Sequence, residues 1–168
     1  QFKNNKNDII LFNQLFFYYK FNLLYDKMIW PGTKGCKKKM LKSLSWLRNI
    51  KLKKYPFWRL DTLFSQTKYI DINIIKDGGW HFTNMKTPED MYEKFMNFGH
   101  HDEFKLSGLT IDKIRDKVKR RELFYNHFAD SSNQNKWESD CRLMQIDIHN
   151  LPEYLINNKS KYKEWFDV

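Results

Sequence analysis

An acid, an indole and an imidazole fall within five residues at Asp77-Gly78-Gly79-Trp80-His81. The two glycines let the backbone turn sharply or approach a ligand closely. A carboxylate in such a place can take a proton, an imidazole can relay one or ligate a metal, and an indole offers a flat face to a ring. The same residues also read as a tight turn with a packed Trp and a satisfied His. A second concentration lies at Gly99-His100-His101-Asp102-Glu103-Phe104. Two imidazoles and two carboxylates in four residues suit metal binding or proton relay, and equally a polar loop rich in titratable groups. Arg59, next to Trp58, can grip a phosphate with its planar guanidinium or pair with Asp61.

The elements that must position these groups follow from periodicity and punctuation. Tyr69 to Lys76 alternates Ile70, Ile72 and Ile74 with polar neighbours, which predicts a strand leading into the Gly-Gly turn. In α/β sheets, ligand sites tend to lie beyond such strand ends. Asp8 to Asn22 is dense in Ile, Leu, Phe and Tyr and predicts one long strand or two short ones. Four consecutive aromatics, Phe16 to Tyr19, place rings on both of its faces, as a covered central strand requires. A buried helix is the alternative. Trp30-Pro31-Gly32-Thr33-Lys34-Gly35 reads as a loop. Thr87-Pro88-Glu89-Asp90 starts a helix with a cap and a first-turn proline, and Met91, Phe95 and Phe98 line its apolar face. Thr110 caps another helix with Ile111, Ile114 and Val118 on one face. Leu123 to Phe128 reads as a strand and Asp130 to Trp137 as a polar loop. Leu143 to Ile148 alternates weakly, and Leu151-Pro152 opens a last short helix. His127 and His149 stand alone and read as structural.

A chain of 168 residues predicts a single domain spanning 1–168, and 41% hydrophobic residues suffice for a core. The net charge of +10 calls for an anionic partner or surface. Between Lys34 and Lys54 there are nine Lys or Arg and no acid, interleaved with Leu41, Leu44, Trp46 and Leu47. That run reads as a solvated basic face, or as a surface that meets phosphate or anionic lipid in peripheral membrane contact. No zinc-finger, helix-turn-helix or RNP-type pattern occurs, so nucleic acid is not the expected partner. Cys36 and Cys141 have no metal-type spacing and cannot make a disulfide framework, which favours a reducing compartment. No apolar run approaches the ~20 residues of a membrane span. The first residue is Gln, so a truncated or processed chain is expected.

Gly79-Trp80-His81-Phe82-Thr83, the helix ending Lys94-Phe95-Met96-Asn97-Phe98, and His100-His101-Asp102-Glu103-Phe104 resemble the second half of glycosyltransferase family 17. This is the family of β-1,4-mannosyl-glycoprotein β-1,4-N-acetylglucosaminyltransferase and its bacterial and viral relatives. The resemblance runs from about residue 8 to the end and takes in the strand around Tyr18-Tyr19 and the Trp30-Pro31-Gly32-Thr33 segment. Family members carry an Asp-x-Asp element just upstream of the aromatic strand, and this sequence has none before Asp8. The resemblance therefore implies an α/β fold, the C-terminal portion of a GT-A-like nucleotide-sugar glycosyltransferase domain with a mixed sheet flanked by helices, lacking the Asp-x-Asp half. It implies inverting transfer of a hexose, N-acetylglucosamine foremost, from a UDP-sugar donor to a glycan acceptor. It also implies a divalent metal, Mn2+ or Mg2+, to neutralise the leaving diphosphate. Glu103 is the implied catalytic base, with Asp77 the second candidate. His81 completes the metal or diphosphate site. Trp80, His100, Gly79 and Arg59 contact substrate. The setting is cytoplasmic or membrane-peripheral in a microbe or virus, or the Golgi membrane in a eukaryote. The rival expectation is a non-enzymatic basic module that binds a polyanion, either nucleic acid or acidic glycan.

Overall fold

The computed structural model describes residues 6–99, 101–129 and 136–168. It is a mixed α/β protein. Six strands, β1 (Ile9–Tyr18), β2 (Leu23–Leu24), β3 (Trp30–Cys36), β4 (Ile72–Ile75), β5 (Trp80–Thr83) and β6 (Met144–Gln145), form a mixed sheet. Among the described residues six α-helices accompany it: α1 (Leu44–Asn49), α2 (Asp61–Phe64), α3 (Pro88–Met96), α4 (His101–Leu106), α5 (Ile111–Lys119) and α6 (Glu153–Asn157). β1 is the hub, because β2, β3, β4 and β5 all pair with it. Its outer thirds are buried, as the aromatic-rich sequence predicts for a covered strand, and the helix alternative is excluded.

The chain divides into two compact units, one built from residues 1–15 and 29–81 and the other from 16–28 and 82–168. In the first, β1 is flanked by β3 antiparallel and β4 parallel, with Ile9 opposite both Cys36 and Ile72. Alternation sends Ile9 and Leu11 to one face, where they join Trp46, Ile50 and Ile72 in a small core. α1 docks its single buried residue, Trp46, into that core, and the indole Nε1–H is satisfied by the Gln66 carbonyl at 2.8 Å. Ser43 caps α1, accepting from the Trp46 N–H at 2.9 Å. At the other end Lys34 Nζ donates to the Arg48 and Ile50 carbonyls at 2.5 and 2.7 Å, satisfying acceptors that a helix terminus leaves open. One cation of the basic run is thus a structural cap, and burial lowers its pKa.

The Trp30–Gly35 segment, expected to be a loop, is most of β3. Pro31 and Gly32 are tolerated because β3 ends the strand order and carries a bulge. Its register advances three residues, Thr33 to Trp30, while β1 advances two, Phe12 to Gln14. The strand expected from Tyr69 is shorter and begins at Ile72.

In the second unit, Thr87 and Thr110 cap α3 and α5 as expected, accepting from the N–H groups of Asp90 and Lys113. Met91, Phe95 and Ile114 are buried on the facing stripes. Phe98 lies past the end of α3 and is 50% exposed, so the expected apolar face is one residue short. Residues 101–106 are a helix rather than a loop. Leu123 to Phe128 is not a strand. It contributes buried Leu123 and Phe124, next to an isolated bridge between Glu122 and Arg142. The last helix begins after Pro152, as expected. Most of the expected polar loop from Asp130 lies outside the described residues. Both cysteines are free. Among the described residues no helix is long and apolar enough to cross a membrane.

Candidate functional site

The Gly-Gly segment interrupts a strand rather than ending one. β4 and β5 both pair with β1, and residues 76–79 bridge them. Asp77 adopts a positive φ of 51° and Gly79 one of 129°, a value that L side chains rarely take. The Gly78 N–H donates to the Asn13 carbonyl at 2.6 Å, and the Leu15 N–H donates to the Gly79 carbonyl at 2.9 Å. Gly78 has no room for a side chain, since a Cβ there would sit 2.8 Å from the Phe12 Cβ. The bulge is therefore clamped against β1 by two backbone hydrogen bonds and one close approach.

This interruption sets the register that brings His81 to Trp30. Their rings stack with centroids 4.6 Å apart and planes inclined by 18°. The indole also covers Gly32, where a Cβ would lie 2.3 Å from Trp30 Nε1. Gln14, which faces Trp30 in the β1–β3 register, extends its side chain between the two glycine sites. Its Nε2 donates to Thr33 Oγ1 at 3.1 Å and lies 3.5 Å from where a Gly79 Cβ would be. The result is a parallel aromatic pair beside an amide and a hydroxyl, with glycines holding the backbone close. Burial lowers the His81 pKa, so its imidazole is neutral at neutral pH. Rings of this kind offer an apolar face, and the amide and hydroxyl offer directed hydrogen bonds. That combination suits a polyol or a planar base more than it suits bond-making.

Asp77, Gly79, Trp80 and His81 are together in the first unit. Trp80 is 41% exposed, and strand alternation sends it to the face opposite His81. Arg59 is also in the first unit, but its Nε and Nη2 each donate to the Asp61 carboxylate at 2.7 Å. Of the two readings of Arg59, pairing with Asp61 is the observed one. Glu103 belongs to the second unit, in the first turn of α4, where its carboxylate accepts from Lys136 Nζ at 3.1 Å. His101 bridges to Asp102 at 3.2 Å. His100 lies outside the described residues.

No family model, curated protein or solved structure matches the chain.

Sequence reasoning passed over Trp30, Gln14 and Thr33 as a group. The signal present was a polar Gln inside an apolar strand and an aromatic before Pro-Gly, but only strand register joins them. It also passed over Asn84 and its tie to Lys94. Asn84 is buried at a φ of 51°, and its Oδ1 accepts from Lys94 Nζ at 2.7 Å, tying the end of β5 to α3. In the second unit a cleft of about 630 Å3 is lined by Lys20, Lys119, Arg120, Arg121 and Arg142 beside Asp167. The residue expected to complete a metal or diphosphate site is His81 alone. His81 is engaged with Trp30, and among the described residues no three His, Cys, Asp or Glu side chains gather around one point.

Proposed function

We propose that this chain is part of a nucleotide-sugar-dependent glycosyltransferase of GT-A-like fold, and that the Trp30–His81 stack forms its sugar- or base-contacting surface. The observation that carries the reading is that stack, 4.6 Å between centroids, beside the Gln14–Thr33 hydrogen bond. It supports the reading because a hexose presents an apolar C–H face together with hydroxyls, and the surface offers a partner for each. The motif resembling family 17 supplies His81 and the glycine that lets it approach. In this reading the acceptor hydroxyl oxygen attacks the anomeric carbon, the bond to the diphosphate breaks, and a carboxylate takes the hydroxyl proton. Asp77 is the candidate for that proton in the unit that carries the stack. N-acetylglucosamine from a UDP-sugar is the foremost donor and a glycan the acceptor.

The test is the melting temperature of the protein with millimolar UDP-N-acetylglucosamine, with and without Mn2+. A ligand at ~100 times its Kd adds about 2.7 kcal/mol, which is a rise of several degrees in a domain of this size. Trp30→Ala and Gln14→Ala should abolish the rise. Absence of any rise in the parent protein would remove the reading.

A second reading, a polyanion-binding module, is favoured by the basic cleft in the second unit. It calls for binding to heparin or RNA whose affinity falls steeply between 50 and 200 mM salt. Part of that cleft is already neutralised, since Arg121 pairs with Asp167 at 2.6 Å and Arg120 approaches Glu122 at 3.6 Å. This ranks it behind the first.

A further inference from the structure

Residues 55–65 expose most of their large apolar side chains. In a loop facing water, charged and hydroxyl groups point outward and large apolar groups inward. Here Thr62 is buried, and its Oγ1 donates to the Arg59 carbonyl at 2.6 Å. The Asp61 carboxylate accepts from Arg59 and from Lys68 Nζ, each at 2.7 Å, and these partners hold its pKa well below the usual carboxylate range. Arg59 and Lys68 in turn lie over the Tyr55 ring, 5.5 and 5.8 Å from its centroid. The polar groups of the segment are thus spent on one another. Phe57, Trp58, Leu60, Leu63 and Phe64 are between 68% and 89% exposed.

The residues just before them are cationic. Lys51, Lys53 and Lys54 are exposed, with Leu52 between them, and no acid occurs from Lys34 to Lys54. A segment that pairs its polar groups and displays five large apolar side chains marks a contact surface. The adjoining cations choose the contact. A soluble polyanion would use the lysines and leave the rings in water. An apolar protein face would use the rings and leave three ammonium groups opposed to hydrocarbon. An anionic bilayer uses both, since its headgroups carry phosphate and its acyl boundary accepts Trp, Phe and Leu.

We infer that residues 51–64 form a docking surface for an anionic lipid bilayer, with Phe57, Trp58, Leu60, Leu63 and Phe64 entering the headgroup–acyl boundary and Lys51, Lys53 and Lys54 meeting the lipid phosphates. The surface lies in one unit and does not depend on glycosyl transfer. Insertion of these side chains would hold the surface at the membrane face.

Vesicle flotation tests this with the intact protein. Vesicles of phosphatidylcholine alone are compared with vesicles containing about one-third phosphatidylserine, at physiological salt. Binding at least tenfold stronger to the anionic vesicles is expected. Two variants separate the components: Trp58→Ser with Phe64→Ser removes insertion, and Lys51→Glu with Lys53→Glu and Lys54→Glu removes attraction. Each should lose tenfold or more, while an unchanged melting temperature shows that the fold is intact. Trp58→Phe should retain binding. The inference is overturned if neither vesicle binds, or if both bind equally. It is also overturned if the Trp58→Ser/Phe64→Ser protein binds anionic vesicles like the parent, which would make the surface a polyanion site. Light scattering that shows a dimer dissolved by Phe64→Ser would assign the surface to a second copy of the chain and overturn it too.

Discussion

The two units of this chain spend their apolar residues in opposite ways. Among the described residues the first buries Ile9, Ile10, Leu11, Trp46, Ile50 and Ile72, and leaves ten large apolar side chains exposed. The second buries a continuous aromatic network. Phe95 and Phe104 meet at 5.5 Å, Phe104 and Trp137 at 5.0 Å, and Tyr19 stacks on Phe124 at 5.8 Å. One unit is a small, mostly aliphatic core carrying contact surfaces, and the other is a core of rings packed in stacked, tilted and edge-on pairs. The contrast separates stability from display: the aromatic network is where substitution should unfold the protein, and the first unit is where it should change what the protein touches.

The largest effect expected from this contrast is at Phe104. The ring is 1% exposed and contacts Tyr92, Phe95 and Trp137. Phe104→Ala should cost about 3–5 kcal/mol through lost burial and a residual cavity. Urea denaturation checks it, and a cost below ~1 kcal/mol would break the comparison. A smaller loss is expected at Gly78→Ala, about 1–3 kcal/mol, because its Cβ must displace the Phe12 backbone or split the β4–β5 interruption. The same substitution should weaken binding at the Trp30–His81 surface by more than its stability cost suggests, and titration calorimetry alongside denaturation would show this.

A pH profile probes the second unit more gently. His127 sits among Phe16, Tyr18, Tyr25 and Tyr125, hydrogen-bonded to the Tyr18 hydroxyl, and burial pushes its pKa down to about 4 from an ordinary 6.5. The folded chain therefore resists a proton that the unfolded chain accepts. The stabilisation is complete above pH 6.5 and is lost progressively as pH falls to about 4. His127→Asn should flatten the dependence of the urea midpoint across that window. An equally steep profile in the variant would place the titration elsewhere. The smallest effect belongs to the first unit. Phe64 is 89% exposed, and Phe64→Ser should alter stability by less than ~0.5 kcal/mol. A loss above ~2 kcal/mol would mean that the ring is packed in solution and that the proposed contrast is wrong.

Much of the helical structure was legible along the chain. Thr87-Pro88 and Thr110 start their helices where capping chemistry requires, and the capping bonds to Asp90 and Lys113 are formed. The aromatic run ending at Tyr18 is a strand with buried ends, as rings on both faces demand. What misled was punctuation. Pro31 and Gly32 look like loop residues, but an edge strand with a bulge accommodates both. His101 to Leu106 looks like a polar loop, but Phe104 anchors it as a helix turn against the rings of α3 and Trp137. Arg59 reads equally as a phosphate grip or a partner of Asp61, and the carboxylate two residues away holds it bidentately.

The sequence by itself determined the local features: where helices begin, which strand is the most apolar, how the cations crowd into 34–54, and that glycines permit a sharp backbone at 78 and 79. These depend on neighbours within about four residues, whose geometry the backbone imposes. Only the tertiary structure decided that Trp30 lies flat on His81, fifty-one positions away, and that Gln14 reaches Thr33 beside them. It alone decided that Phe57, Trp58, Leu60, Leu63 and Phe64 are exposed. Strand register is set by pairing between distant segments, and a shift of one residue sends every side chain to the other face of the sheet. No local pattern carries that information, so the candidate site came into being only when β1 collected its partners.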